Sequence, residues 1–442
     1  MSFGYSFIKS PGRTVLGSII LMITIGSFFL SLPFAQEHAH SLLDIIFTAT
    51  SATCVTGLLV APLAEFTTFG HVIILILMQI GGLGILTLAV FFVSLFFDIG
   101  LGAQKLTGEL LEVDSWKRSK KTLMYIVWLT VIMEACGTLL IYYSLDRAEY
   151  AHPFFISFFH AVSSFCSAGF SLFNHPLTFF KTNILFLVAT ILLMIVGELG
   201  FITWQDILEY FRSLRNKRYL SISLHTKLVL ITTAMIMTVA FFCIGILEYT
   251  NLFHNSYIEY IVNTFFNALS YRSTGFTTIP LHDLTQATLL LIIVISFIGS
   301  SPGSTGSGIK TTTFALIFAL IRAVVLGKTT VDIQKRKISN EQLFKAITIF
   351  SLGIVWIIVT AFCLFITDPY WHFSAILFEA SSAFTNLGLS LGITPYLSEY
   401  GKIILIITMI IGRIGSLTLI LALKRHQDRI NYNYPQERVM IG

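Results

Sequence analysis

Apolar residues along this chain come in runs of about twenty or more, and the charges gather between them. Eight long apolar spans can be drawn, at roughly 14–34, 71–97, 122–145, 183–204, 226–250, 287–325, 345–367 and 401–423. A helix rises 1.5 Å per residue, so about twenty apolar residues cover the roughly 30 Å hydrocarbon core of a bilayer. Four semi-polar segments, centred near 41–59, 153–172, 259–278 and 372–391, lie between the members of successive span pairs. They are too short and polar to cross a membrane and too apolar for ordinary loops. A re-entrant segment fits, because non-helical backbone is tolerated at membrane depth only where protein buries it or it lines water. The pattern predicts an all-α membrane protein of four consecutive helix–pore-loop–helix repeats (M1–P–M2) with pseudo-fourfold symmetry around a central pore. The repeats occupy 1–98, 99–205, 206–325 and 326–424, followed by a C-terminal tail at 425–442.

Composition agrees. The 442 residues are 55% hydrophobic and 12% charged, with a mean hydropathy of +0.81, whereas a soluble domain carries about 25% charged residues. The segment Met1–Arg13 followed by apolar Thr14–Phe34 resembles a signal peptide superficially. The run is too long and lacks a small-residue cleavage site, so it reads as the first span. Cys54, Cys136, Cys166, Cys243 and Cys363 sit in apolar contexts without C-x-x-C spacing, and the eleven histidines lack metal-ligand spacing. No convergent acids, histidines or metal set is visible, which argues against a membrane enzyme. Of the 28 Lys and Arg, 22 fall in the N-terminal tail, 98–121, 205–227, 322–345 and 424–442, all on one side of the spans. By the positive-inside rule both termini are cytoplasmic, the re-entrant segments enter from outside, and the chain is a multi-pass protein of the plasma membrane.

Aligned on a glycine, the re-entrant segments read FTATSATCVTGL (Phe47 to Leu58), FHAVSSFCSAGF (Phe159 to Phe170), FFNALSYRSTGF (Phe265 to Phe276) and FEASSAFTNLGL (Phe378 to Leu389). Each has Phe ten residues before the glycine and Leu or Phe directly after it. Gly57, Gly169, Gly275 and Gly388 are 112, 106 and 113 residues apart, a fourfold direct repeat. A second register follows in the next helix: Ile80-Gly81-Gly82-Leu83-Gly84, Val196-Gly197-Glu198-Leu199-Gly200, Ile298-Gly299 and Ile411-Gly412-Arg413-Ile414-Gly415. Small-residue helix packing would explain these helix glycines, but not the re-entrant ones. Pro153 and Pro369 suit a first helical turn, and Ser41 and Asp368 suit N-caps.

Each short helix would end just before its glycine, its carbonyl end facing the membrane centre, where the dipole favours a cation. A potassium ion crossing a membrane must exchange its water shell for other oxygens, and rings of backbone carbonyls supply them in channel filters. Glycine allows the backbone dihedrals that aim such carbonyls inward. The expected filter is Val55, Thr56 and Gly57; Ser167, Ala168 and Gly169; Ser273, Thr274 and Gly275; and Asn386, Leu387 and Gly388. It has no acidic ring, which disfavours divalent cations. Arg272, next to the third filter stretch, should point away from the ion path.

The span 287–325 is too long for one crossing, and Gly299, Ser300, Ser301, Pro302, Gly303, Ser304, Thr305, Gly306, Ser307 and Gly308 in its middle are all helix-weakening types. Two half-helices joined by an irregular loop below the filter are expected, and such breaks mark ion or substrate sites. The loop reads as a gate, with a passive kink as the bland alternative. The string GSTGSGIKT approaches a phosphate-binding loop, but Ile309 separates Gly308 from Lys310 and no strand precedes it. Arg413, costly at membrane depth, needs partners. Glu198 holds the same slot in the second repeat, and a Glu198–Arg413 pair is one arrangement the register allows. Glu134 reads as a contact to a neighbouring helix rather than an ion ligand.

Four M1–P–M2 repeats, the motifs T-C-V-T-G-L, S-T-G-F and G-S-S-P-G-S-T-G-S-G-I-K-T, and one filter glycine per repeat together resemble the Trk/Ktr/HKT superfamily of potassium transporters. The likeness covers essentially the whole chain. Eight spans without an extra N-terminal pair are closer to the KtrB branch, the membrane subunit of bacterial Ktr uptake systems. The resemblance implies sodium-dependent potassium uptake, with potassium in the filter and sodium as a coupling ion. It also implies a homodimer in membrane lipid and a cytosolic nucleotide-binding KtrA-type regulatory ring, with no nucleic acid partner. Within the family an arginine placed like Arg413 neighbours the gating loop, which with Lys310 completes the expected gate. The tail, with Asn431-Tyr432-Asn433-Tyr434-Pro435 and Val439-Met440-Ile441, suits contact with a second protomer or the ring. An alternating-access cation symporter is the alternative, but it would show inverted rather than direct repeats.

Overall fold

A computed structural model describes residues 11–84, 116–146, 150–173, 176–215, 221–253 and 256–415. The N-terminal ten residues, most of the 98–121 loop and the 425–442 tail with its expected partner contacts lie outside the described residues.

The first unit is α1 (Pro11–Leu30), α2 (Leu42–Thr53) and α3 (Thr68–Leu83); the second is α4 (Trp116–Ser144), α5 (Pro153–Cys166) and α6 (Ile184–Glu198), followed by α7 (Phe201–Arg215). The third is α8 (Leu224–Leu247), α9 (Tyr257–Ser273), α10 (Gln286–Ile298) and α11 (Thr311–Val325). A small antiparallel hairpin, β1 (Asp332–Ile333) and β2 (Arg336–Lys337), leads to the fourth: α12 (Asn340–Thr367), α13 (Phe373–Thr385) and α14 (Glu399–Ile414). Among the described residues, Thr122–Ser144, Leu224–Leu247 and Asn340–Thr367 are each long and apolar enough to cross a membrane.

Local chemistry sets the helix starts. Ser41, Thr67, Asn183, Ser223, Ser256, Thr285, Ser339 and Ser398 each cap a helix by accepting a backbone N–H of its first turn. Pro153 opens α5 as expected. Asp368 and Pro369 do not open α13, which starts at Phe373 behind His372. Asp368 ends α12 instead and accepts from Ser398 N at 2.7 Å and Ser398 Oγ at 2.9 Å, tying the outer helix to the start of α14. Glu248 makes the same tie in the third unit, accepting from Thr285 N at 3.0 Å and Thr288 Oγ1 at 2.5 Å. A buried carboxylate is sustained by such full hydrogen bonding.

The second long helix of every unit stops where the sequence shows a glycine. Gly84, Gly200, Gly299 and Gly415 have φ of 84°, 86°, 59° and 83°, a left-handed region that ends a helix. Sequence reading anticipated this only at Gly299. The 183–204 span therefore ends early, and α7 leaves α6 at 95°. The 205–227 segment, expected as a loop, begins as the helix α7.

The units touch in a fixed order: α3 packs on α5, α6 on α9, α10 on α13, and α14 on α2. The short helices are the interior; α2, α5, α9 and α13 bury Phe47, Phe159, Phe266 and Phe378. Outward, α4, α8 and α12 expose Trp128, Val131, Ile231, Phe242, Ile358 and Phe362. Exposed apolar side chains in this number are stable in lipid and not in water.

Candidate functional site

The four short helices end two to four residues before their glycines, and the glycines meet. Gly57, Gly169, Gly275 and Gly388 all have positive φ, at 93°, 73°, 77° and 87°. In three units the residue two before the glycine is also left-handed: Val55 at 58°, Ser167 at 59° and Asn386 at 54°. The helix end is closed there by Thr56 N, Ala168 N and Leu387 N donating back to Ser51 O, Ser163 O and Ser382 O at 2.7, 2.7 and 2.9 Å. The third unit differs, because α9 continues through Ser273 and Gly275 N donates to Ser270 O at 3.0 Å.

The residues of the expected filter lie against one another in a closed sequence. A Cβ on Gly57 would stand 2.5 Å from Ala168 O, one on Gly169 2.5 Å from Thr274 O, one on Gly275 1.9 Å from Leu387 O, and one on Gly388 2.1 Å from Thr56 O. Each unit's glycine thus abuts the carbonyl just before the next unit's glycine, and the order 1, 2, 3, 4 returns to 1. Only glycine leaves room for these carbonyls. No filter residue is acidic, so the oxygens present are backbone carbonyls, hydroxyls and the Asn386 amide, at the meeting point of four helix C-termini. That arrangement favours a monovalent cation.

Further residues fix the filter that sequence reasoning had passed over. Ser51 Oγ and Ser382 Oγ accept from Gly57 N and Gly388 N, both at 3.1 Å. Ser270 Oγ accepts from Phe276 N at 2.6 Å and donates to Phe276 O at 2.7 Å. The signal was available: a serine stands four residues after Phe47, Phe159 and Phe378, and five after Phe265. Asn386 Nδ2 donates to Cys54 O at 2.7 Å, so this filter residue also joins the fourth unit to the first.

The helix glycines are a second close approach. Cβ atoms on Gly81, Gly197 and Gly412 would stand 2.0, 2.1 and 1.9 Å from Thr53 O, Phe165 O and Phe384 O. Each broken helix therefore lies directly on the last turn of its unit's short helix.

The 299–308 loop joins α10 to α11 and is held by the break of the second unit and by Arg413 of the fourth, which also reaches the break of the first. Ser301 N and Thr305 N donate to Glu198 O and Gly197 O, each at 3.2 Å, and Thr305 Oγ1 to Phe165 O at 2.9 Å. Arg413 donates through Nη1 to Thr305 O at 2.7 Å and Ser307 Oγ at 2.9 Å, and through Nη2 to Gly81 O and to Gly82 O at 3.3 Å. Lys310 Nζ donates to Gly306 O at 2.7 Å. A cavity of about 290 Å³ borders the loop, lined by Gly84, Phe201, Pro302, Gly303, Lys310 and Arg413 among others. The expected gate group is thus brought together.

Glu198 does not pair with Arg413. Its carboxylate faces the Arg272 guanidinium at 3.5 Å, and both are fully buried. The reason is the third filter stretch: Arg272 precedes it in α9, which packs on α6, whereas Arg413 is used by loop and helix carbonyls. Arg272 Nε donates to Gly299 O at 2.7 Å, so the guanidinium is turned toward the loop and Glu198. Glu134 hydrogen-bonds Gln79 of the neighbouring α3, as expected.

Comparison with known proteins accords with this geometry. The chain is 33% identical over 445 residues to the potassium/sodium uptake protein NtpJ of Enterococcus hirae, covering 98% of this chain and 97% of that one. It is also 33% identical to the Ktr system potassium uptake protein B of Bacillus subtilis, with the same coverage, and of Vibrio alginolyticus, with coverage of 97% and 94%. The structure of the potassium transporter TrkH from Vibrio parahaemolyticus superposes with a TM-score of 0.72, at 20% identity, over 92% of this chain and 83% of that one, and so shares its fold. The family described as cation transport protein, TrkH, matches residues 15–432, and the chain is an integral membrane protein belonging to that Trk/Ktr family of potassium and cation uptake transporters.

Proposed function

We propose that this protein takes up potassium ions through a channel-like pore in which four helix–pore-loop–helix units surround a pseudo-fourfold axis. The observation that carries the reading is the closed order of filter contacts, in which each glycine abuts the carbonyl preceding the next. Val55–Gly57, Ser167–Gly169, Ser273–Gly275 and Asn386–Gly388 offer their carbonyls to a dehydrated potassium ion. The Gly299–Gly308 loop, pinned by Arg413 and Lys310, is the gate beneath them; its hydrogen bonds to the second and fourth units are few enough to exchange as a set. Sodium dependence, a homodimer and a cytosolic nucleotide-binding ring of the KtrA type complete the proposal, with both termini cytoplasmic. It is supported by relatives named as a potassium/sodium uptake protein and as a Ktr system potassium uptake protein. Direct rather than inverted repeats favour a pore over an alternating-access symporter.

The test is growth and potassium uptake in a host lacking its own potassium transporters, with and without external sodium. Rescue at low potassium that strengthens with sodium is expected. No uptake above the empty host, with the protein in the membrane, overturns the reading.

A further inference from the structure

The Glu198–Arg272 pair coordinates no ion in the account above, yet it touches both the filter and the loop. On the filter side, Glu198 Oε1 accepts from Ser273 Oγ at 2.7 Å and Thr274 Oγ1 at 3.2 Å. Thr274 is the residue whose carbonyl abuts Gly169. On the loop side, Glu198 O accepts from Ser301 N at 3.2 Å, and Arg272 Nε donates to Gly299 O at 2.7 Å, at the point where α10 breaks. Gly306 lies so near the filter that a Cβ on it would be 2.9 Å from Ser273 Oγ. Glu198, Arg272, Ser273, Thr274 and Ser301 are polar residues buried to within 1% of full enclosure. A buried ion pair seldom increases stability over well-packed apolar residues of the same volume, and removing one partner is strongly destabilising. Its presence here is therefore explained by what it connects.

We infer that Glu198 and Arg272 are positioning residues that lock the third filter stretch to the start of the gating loop, so that loop release and filter geometry change together. The inference rests on the filter-and-gate reading above. It makes a distinction among loop contacts. Arg413, whose bonds go to Thr305 O, Ser307 Oγ and the carbonyls of Gly81 and Gly82 and to no filter residue, sets the rate alone. The Glu198–Arg272–Ser273 network sets the rate and the ion preference at once.

The experiment compares maximal potassium uptake and the potassium-to-sodium preference of the full chain in membranes of the same transporter-deficient host. The variants are Ser273→Ala, Glu198→Gln with Arg272→Gln together, and Arg413→Ala. Ser273→Ala removes one hydrogen bond to Glu198 without stranding a charge, so it keeps the test open if the double variant does not fold. It should lower the potassium-to-sodium preference about fivefold, the equivalent of one net hydrogen bond, and raise the maximal rate. The double variant should do both more strongly. Mere structural damage would lower the rate rather than raise it. If Arg413→Ala raises the rate while Ser273→Ala changes only one of the two quantities or neither, the link is refuted and the gate stands. If Arg413→Ala leaves the rate unchanged, the gate reading fails and the link with it.

Discussion

Gly57→Ser is the sharpest perturbation of the filter. A Cβ there would stand 2.5 Å from Ala168 O and 3.4 Å from both Gly169 Cα and Gly388 Cα. To reach ordinary contact the Cβ and the carbonyl must part by roughly 0.9 Å, a gap that forfeits roughly a quarter to a half of a packing contact's attraction. The φ of 93° adds left-handed strain of about 1–2 kcal/mol for a residue with a side chain. If 1–2 kcal/mol of this falls on the potassium-bound filter and not on a looser sodium-bound one, the preference drops by about 5- to 30-fold. The assay is rubidium or potassium uptake against a sodium series, in cells carrying equal amounts of protein in the membrane. Gly327→Ala is the control, since Gly327 has φ of 66° and nothing within 4 Å of a Cβ, so it carries the strain without the collision. Wild-type preference in Gly57→Ser, or an equal loss in Gly327→Ala, would refute the assignment of Gly57 to the ion path.

Deleting Pro302–Ser304 should raise the maximal uptake rate severalfold with the ion preference kept, because the bonds of Gly299 and Ser301 to Arg272 and Glu198 remain; an unchanged rate in the folded variant counts against a gate. Gly412→Ala places a Cβ 1.9 Å from Phe384 O and 2.6 Å from Asn386 Oδ1, so it should cost at least the upper end of the roughly 1–3 kcal/mol of overpacking and show as a lower melting temperature of the detergent-solubilised protein. Lys402→Met breaks a 2.7 Å bridge to Asp44 whose side chains keep 13% and 20% exposure; screened by water, the pair is worth under about 1 kcal/mol, and melting should shift by only a few degrees while uptake persists.

Much of this site is written in the sequence because fourfold repetition makes a weak signal strong. One glycine after an apolar segment means little, but four with a phenylalanine ten residues before each mark one structural position. The broken third helix was equally plain, since ten consecutive Gly, Ser, Thr or Pro residues cannot continue a helix. The other three breaks were not. Gly84, Gly200 and Gly415 each follow another glycine within three residues, and a glycine that packs against a neighbour and one that ends the helix look alike in sequence; the left-handed φ decides. Glu198 illustrates a different loss. Its slot matches that of Arg413 in register, but partner choice depends on which short helix packs against α6, and that helix carries Arg272. Asp368 reads as a helix start because it precedes a proline, yet its carboxylate turns back to Ser398, thirty residues on.

The central claim, that four glycine-marked carbonyl stretches form one potassium-preferring pathway, is tested most directly by the purified full chain in liposomes under opposed potassium and sodium gradients. The reversal potential of the ion current should lie near the potassium equilibrium value and move toward that of sodium in Gly57→Ser. A wild-type reversal potential that tracks sodium as well as potassium, or that Gly57→Ser leaves where it was, would contradict the account.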